Sequence, residues 1–213
     1  MIWFFFFFHI IDEFLWYNTR MSADYRKIVQ SLSYLAGKSG GGLNRLHAFK
    51  MLFLADRDHL RRCGCLITGD SYVAMKYGPL PVAAERLVKA KRAPAAEREY
   101  ADAYLRQEPV GRSRTMLYSR DFDATQLSEQ DIVSLDVAWN AYASHPDVVD
   151  FTHEFPEWKR AAKKLTSGTA SVPMRLLDFF LPAPAAVEYC AADPEWVEAS
   201  RELFCDSAWV EGI

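Results

Sequence analysis

The chain has 213 residues, of which 50% are hydrophobic, and its formal net charge is −3 at pH 7. A chain of this length can bury one good hydrophobic core, so a single domain with appendages is expected. The balance of charge excludes a strongly basic chain of the kind that binds nucleic acids through its overall charge. Arg57, Arg61 and Arg62 form a local basic group, which is interpreted as a solvated helix face.

The first twenty residues, MIWFFFFFHIIDEFLWYNTR, fit no targeting class. Their apolar run is too short to span a membrane, and they lack the positively charged start and the small-residue cleavage site of a signal peptide. The helical pattern begins just after Met21, so Met21 is the expected natural start. Residues 1–20 are then a translated upstream stretch or an extension; the alternative is a hydrophobic arm that packs on a partner or on the domain.

A first helix is predicted to begin at Ser22, which can cap it, with Asp24 in its first turn. Gly37 is expected to end this helix, because glycine favours the position that follows a helix. Residues 38–42 then form a flexible connection. The apolar stripe of this helix consists of Tyr25, Ile28, Val29, Leu32 and Leu35.

The next segment predicts a central, largely buried helix. Asn44 is its expected N-cap, and apolar residues surround most of the helix circumference. Its polar residues fall mainly on one strip, formed by His47, Lys50, Asp58 and Arg61, with Asp56 and His59 beside it.

The central helix is expected to break at Cys63-Gly64-Cys65 and to lead into a short strand. Thr68-Gly69-Asp70 predicts a turn, and residues 71–77 predict a strand rich in tyrosine and valine. Pro79 and Pro81 are expected to end that strand. A second strand, residues 115–118, is expected to pair with it.

Further helices follow in order. The pattern predicts them over residues 82–91 and 95–107, from Ser128 to His145, over 148–153, around Trp158 to Leu165, from Pro173 onward, and from Pro194 onward. Together these elements predict a mainly α (α+β) fold, a compact helical domain with a small inserted antiparallel β-hairpin or three-stranded element. The expected organisation is a hydrophobic extension (1–20), a domain (21–165) and a C-terminal helical appendage (166–213).

The four cysteines, Cys63, Cys65, Cys190 and Cys205, form no regular disulfide framework and indicate a reduced, cytoplasmic protein. A zinc site would use His59, Cys63 and Cys65, but the chain has no second paired ligand motif. No metal and no cofactor is therefore expected.

Several motifs occur in a fixed order along the chain: residues 52–56 (LFLAD), 67–70 (ITGD), 74–79 (AMKYGP), 127–128 (LS), 152–154 (THE) and 156–159 (PEWK). In this order they resemble the Panacea domain of the SocA-like antitoxin family, over roughly residues 23–164. The resemblance implies an antitoxin that binds and neutralises a protein toxin encoded by a neighbouring gene. Some relatives act as proteolytic adaptors that hand the toxin to a ClpXP-type protease. No membrane partner is expected, and nucleic acid is not an expected partner of the chain alone.

The residues nominated for partner binding are Lys50, Asp58, Lys76, Tyr77, Trp196, Leu203 and Phe204. The residues Gly69, Asp70, Gly78, Pro79, Thr152, His153 and Trp158 carry the motifs and are interpreted as structural. No catalytic residue is assigned, because no nucleophile and base are set at a recognisable spacing.

Two alternatives come from other functional classes. A small metal-dependent hydrolase would use Asp56, His59 and His153. A regulator that binds the DNA of its own operon would show steeply salt-dependent binding.

A start at Met21 predicts that mass spectrometry of the natively expressed protein finds no peptide from residues 1–20. Detection of such a peptide would contradict this start.

Overall fold

The computed structural model describes residues 23–89, 93–112, 114–145, 147–183, 189 and 192–210. The expectations on residues 1–20, Ser22 and Cys190 lie outside these ranges. Within them the fold is mainly helical, with two small three-stranded antiparallel sheets, which confirms the predicted fold class. In the part of the chain so described, no helix combines the length and apolarity needed to cross a membrane.

The described helices are α1 (Tyr25–Lys38), α2 (Arg45–Cys63), α3 (Val82–Lys89), α4 (Ala95–Tyr104), α5 (Glu129–Ser144), α6 (Val148–His153), α7 (Pro156–Ala162) and α8 (Pro194–Val210). The strands are β1 (Leu43–Asn44), β2 (Tyr72–Met75), β3 (Gly78–Pro81), β4 (Leu105–Val110), β5 (Arg114–Ser119) and β6 (Ser171–Pro173). Short 3-10 helices span Ala124–Gln126 and Leu176–Phe180.

Helix α2 is the centre of the fold, as its sequence predicts. The Asn44 side chain caps it by accepting a hydrogen bond from the Leu46 N–H at 2.9 Å. The residues from Ala48 to Arg61 are all buried, and α1, α5, α6, α8 and strand β3 pack around them. The helix ends at Gly64, which adopts a left-handed conformation with φ of 71°.

Three predicted helix boundaries are wrong, namely both ends of α1 and the end of α4. Helix α1 begins after Asp24, which caps it, and continues past Gly37 to Lys38. Helix α4 ends at Tyr104, and residues 105–107, predicted to be helical, lie instead in strand β4. The cause is tertiary, because β4 pairs along its whole length with β5.

The predicted pairing of residues 115–118 with residues 72–77 is also wrong. Strand β5 lies between β4 and β1, because the short connection after Val110 joins β4 and β5 as a hairpin. Strand β2 belongs to the other sheet, in the order β3-β2-β6.

Pro79 and Pro81 lie inside the edge strand β3 and do not end the preceding strand as expected. The Val82 N–H donates to the Ser71 carbonyl at 2.9 Å, and in an antiparallel pair every second residue bonds to the partner strand. The backbone groups of Pro79 and Pro81 therefore point away from β2. Because no hydrogen bond to β2 is needed at these two positions, the missing N–H of proline has no cost there.

The C-terminal segment is part of the packed domain. Residues 171–173 form strand β6 against β2, and Pro173 does not start a helix as expected. The Phe179 ring contacts the rings of Phe53 and Tyr72, at centroid distances of 5.4 and 5.6 Å. Residues beyond Leu165 thus contribute side chains to the hydrophobic core.

The arginines of α2 do not form a solvated face, because Arg57 and Arg61 are buried. The Arg57 Nε pairs with the Glu157 carboxylate at 2.7 Å, and Arg61 donates to the Phe180 carbonyl at 2.7 Å. These contacts hold α7 and the segment around Leu181 against α2, because a buried charge needs a partner.

One carboxylate joins three helices. Asp131 of α5 lies 2.8 Å from the Lys27 Nζ of α1 and 3.1 Å from the His59 Nε2 of α2. Asp131 also forms a capping box with Ser128 at the start of α5. Burial alone would lower the pKa of His59, but Asp131 and Cys65 raise it to about 11, so the imidazole is charged at neutral pH.

We expect Asp131→Asn to lower the free energy of unfolding by about 2–3 kcal/mol, because it leaves His59 and Lys27 without their shared buried anion. Burial opposes ionisation of Asp131, but His59 and Lys27 hold its pKa well below 3.8. The penalty is therefore fully present between pH 3.8 and pH 6.5. It shrinks as the pH falls below this window, where Asp131 takes up a proton, and as the pH rises above it, where His59 loses one. Urea denaturation at several pH values measures it.

Asp136→Asn is the matched control, since Asp136 is partly exposed and pairs with Lys38 on the surface. We expect a loss of less than about 1 kcal/mol for this variant. Equal losses for the two variants would contradict the assigned role of Asp131.

Candidate functional site

Strands β2 and β3 form a hairpin whose tip consists of Lys76 and Tyr77. Both tip residues are exposed, Tyr77 to 59%. The Lys76 Nζ lies 5.5 Å from the centre of the Tyr77 ring, within range of a cation–π contact. The next residue, Gly78, has φ of 89°, a conformation that side chains disfavour.

A group of buried and half-buried residues, which we call the Lys50 cluster, lies beneath this tip. It consists of Lys50, Gly78, Pro79, Thr152, His153 and Trp158. A Cβ atom on Gly78 would lie 2.8 Å from the Lys50 Nζ and 2.9 Å from the Thr152 Oγ1. Any side chain here would force the buried Lys50 or Thr152 side chain to move, because both distances are shorter than normal van der Waals contact.

Lys50 is 1% exposed, and its Nζ donates a hydrogen bond to the Pro79 carbonyl at 2.6 Å. That carbonyl points outward from the edge strand, because Pro79 is not one of the residues that bond to β2. Burial lowers the pKa of Lys50 to about 7. Lys50 therefore attaches one side of the hairpin to the central helix.

His153 and Trp158 hold the other side of the hairpin. Their rings stack with centroids 4.0 Å apart and planes 14° apart, and the Trp158 Nε1 donates to the Met75 carbonyl at 3.3 Å. Burial and then the nearby Lys50 charge lower the pKa of His153. The tip is thus fixed at Met75 and at Pro79, the residues on its two sides.

The Thr68-Gly69-Asp70 turn also has a structural role, since its residues form hydrogen bonds with α3 and α2. The two carboxylate oxygens of Asp70 accept hydrogen bonds from the Ala83 and Ala84 N–H groups, both at 2.8 Å, so Asp70 caps α3. Burial raises the pKa of Asp70 to about 6, although these hydrogen bonds oppose the shift. The buried Asp56 carboxylate accepts from Thr68 and from the Tyr72 hydroxyl, at 2.6 Å in the latter case.

Helix α8 carries a second exposed surface. Trp196 is 69% exposed and Leu203 is 58% exposed, although both are large and apolar. They border an open cleft between α8 and the end of α2, which is lined by Arg62, Cys63, Glu195, Trp196, Ala199, Ser200 and Leu203. Gly64 allows this close packing, because its Cβ position would be 2.9 Å from the Ser200 carbonyl oxygen.

The nominated partner-binding residues separate into two groups. Lys76, Tyr77, Trp196 and Leu203 are exposed. Lys50, Asp58 and Phe204 lie in the interior, which corrects their nomination as direct contacts. Asp58 pairs with Arg62 and accepts from Ser134 at 2.8 Å, and the Phe204 ring faces Phe180.

The residues nominated for a hydrolase have separate partners. Asp56 bonds to Thr68 and Tyr72, His59 contacts Asp131 and the Cys65 carbonyl, and His153 stacks on Trp158. Among the described residues, no three His, Cys, Asp or Glu side chains are grouped as metal ligands would be.

The model of the family described as "Antitoxin SocA-like, Panacea domain" matches residues 49–159. The chain belongs to this family. No curated protein and no solved structure gives a significant match. The Panacea match runs from α2 into α7, so it contains the hairpin and the whole Lys50 cluster. Strand β6 and helix α8, with Trp196 and Leu203, lie outside it.

One feature of the Panacea hairpin was missed in the sequence, namely that Lys50 holds the tip. The available signal was a single lysine within the apolar run Ala48 to Ala55, where a charge needs a buried acceptor. The acceptor is a backbone carbonyl, and residue types do not reveal it.

We expect Lys50→Met to remove a pH dependence of stability. Unfolded lysine keeps its proton up to pH 10.5, whereas folded Lys50 loses it near pH 7, so unfolding takes up a proton between these values. The stability of the parent protein relative to the variant should therefore rise by about 2–3 kcal/mol from pH 7 to pH 9. Urea denaturation across this range measures the difference.

Lys76→Met is the control, because Lys76 is exposed and its variant should keep a constant stability difference from the parent. If the Lys50→Met difference is also constant with pH, Lys50 does not titrate near neutrality.

Proposed function

We propose that this chain is the antitoxin of a toxin–antitoxin pair, which binds a protein toxin encoded by a neighbouring gene and neutralises it by direct contact in the cytoplasm. Membership of the Panacea family supports this proposal. In this proposal the chain has no catalytic role.

The observation that carries the proposal is the exposure of Trp196 and Leu203 on one side of α8. Burying such side chains against a partner gains free energy, and tryptophan is common among the residues that dominate binding energy. Because α8 lies outside the residues that match the family model, it is suited to determine which toxin is bound.

The hairpin tip supplies a second contact in this proposal. Tyr77 combines a large contact area with few rotatable bonds. Met75 and Pro79, two residues before and after it, are fixed by the hydrogen bonds from Trp158 and Lys50. A rigid tip loses little conformational entropy on binding, which favours affinity. A toxin bound in this way is occluded, and it can also be delivered to a ClpXP-type protease.

The test is co-expression of this chain with each neighbouring reading frame, scoring cell growth and co-purification together. We expect one neighbour that is toxic alone, harmless with this chain, and co-purified with it. The absence of any neighbour that is both toxic and bound would contradict the antitoxin proposal.

The same assay locates the contact within the chain. A chain ended at Ala183 keeps β6 and Phe179 but lacks α8, so we expect it to lose neutralisation. Intact neutralisation by the shortened chain would exclude α8 as the determinant of toxin choice. Circular dichroism must first show that the shortened chain is folded.

A further inference from the structure

Helix α8 carries an excess of negative charge. Residues 194–210 contain four carboxylates, Glu195, Glu198, Glu202 and Asp206, and one basic residue, Arg201. Their net charge of −3 equals the formal net charge of the whole chain, so the remaining residues are balanced. The excess negative charge is therefore concentrated on the helix that exposes Trp196 and Leu203.

Three of these carboxylates lie in a row along α8, beside the exposed apolar side chains. Successive residues of an α-helix are about 100° apart, so Glu195, Glu202 and Asp206 fall on one line, about 60–100° around the helix from Leu203. All three residues are exposed. The surface thus consists of the exposed apolar side chains of Trp196 and Leu203, with a row of negatively charged side chains beside them.

The basic groups nearby do not cancel this charge. Arg201 pairs with Glu198 at 2.5 Å, and the Arg62 Nε at the cleft lies 3.0 Å from the Asp58 carboxylate. Each positive charge already has an acidic partner, so the row formed by Glu195, Glu202 and Asp206 keeps its negative potential.

We propose that this surface, defined as Trp196, Leu203 and the row Glu195, Glu202 and Asp206, binds an amphipathic helical segment of the toxin that is rich in lysine or arginine beside its apolar side chains. The cleft between α8 and the end of α2 accepts apolar side chains, as grooves that bind helices do. The carboxylate row selects basic flanks by complementary charge. The identity of the partner as a toxin rests on the function proposed above.

Charge also decides against two other occupants. A second copy of this chain would place its own carboxylate row against this one, and like charges repel. The apolar residues 1–20 contain Asp12 and Glu13 against a single arginine, so they supply no basic flank.

The inference is tested with two synthetic helical peptides that share one stripe of leucines. One peptide has lysine and the other has glutamate at the flanking positions. Fluorescence anisotropy with the full chain should show at least about tenfold tighter binding of the lysine peptide. The affinity should fall as salt is raised, because exposed charges are screened.

Two double variants test the surface itself. Glu202→Lys with Asp206→Lys should weaken binding of the lysine peptide about tenfold, by reversing two charges of the row. Trp196→Ala with Leu203→Ala should weaken binding of the same peptide by about tenfold or more, by removing the exposed apolar side chains. These four residues are exposed, so the fold should be kept.

The matched controls are Glu99→Lys with Asp102→Lys on α4, and Val133→Ala on α5. These residues are exposed on other helices, and we expect affinities within about twofold of the parent chain. Equal binding of both peptides, no binding of either, or equal losses in control and test variants would overturn the inference. A change of oligomeric mass in the Trp196 and Leu203 variant would also overturn it, by identifying the surface as a self-interface.

The co-expression assay separates this inference from the proposed function. If both α8 double variants neutralise the toxin as well as the parent does, the antitoxin function stands and the inference falls. If the peptides bind as expected but no neighbouring reading frame encodes a toxin, the antitoxin proposal is wrong. The proposal that this surface binds basic helical segments then still holds.

Discussion

The burial of α2 on all sides is the constraint on which the rest of the structure depends. A helix placed at the centre of a small domain would ordinarily be apolar throughout, yet this one carries Lys50, Arg57 and His59 in its interior. Each of these groups needs a partner because desolvating a charge is costly. The partners come from different elements, including Asp131 of α5 and Glu157 of α7. The charges of α2 therefore fix the positions of the elements that surround it.

Local signals allowed the sequence to predict much of this fold. Asn44 and Ser128 mark helix starts through hydrogen bonds to groups within a few residues, and both cap helices in the structure. Strand partners depend on contacts distant in sequence, which explains why the place of β5 was predicted wrongly. The same reason applies to residues 105–107, since their conformation is set by pairing with β5 and not by their own helical pattern.

The candidate site could be predicted only in part. Sequence patterns nominated Lys50 and Lys76 equally, because a polar residue on a helix or next to a strand can point either way. The structure separates them: Lys50 supports the hairpin from below, and Lys76 is at its exposed tip. Trp196 and Phe204 were nominated together for partner binding, but Phe204 packs inward and Trp196 faces solvent. Which side of a helix is covered depends on the position of its neighbours, which the sequence of that helix does not contain.

The pairing of β6 with β2 has a consequence for the synthesis of this protein. Val73 and Pro173 are partners although one hundred residues separate them in the chain, and Phe179 completes the packing around Tyr72. The sheet that presents the hairpin therefore cannot be finished until the ribosome has released almost all of the described chain. Pairing between distant segments also slows folding. The hairpin therefore reaches its final packing late in the synthesis of the described chain, after residues 171–179 have been made.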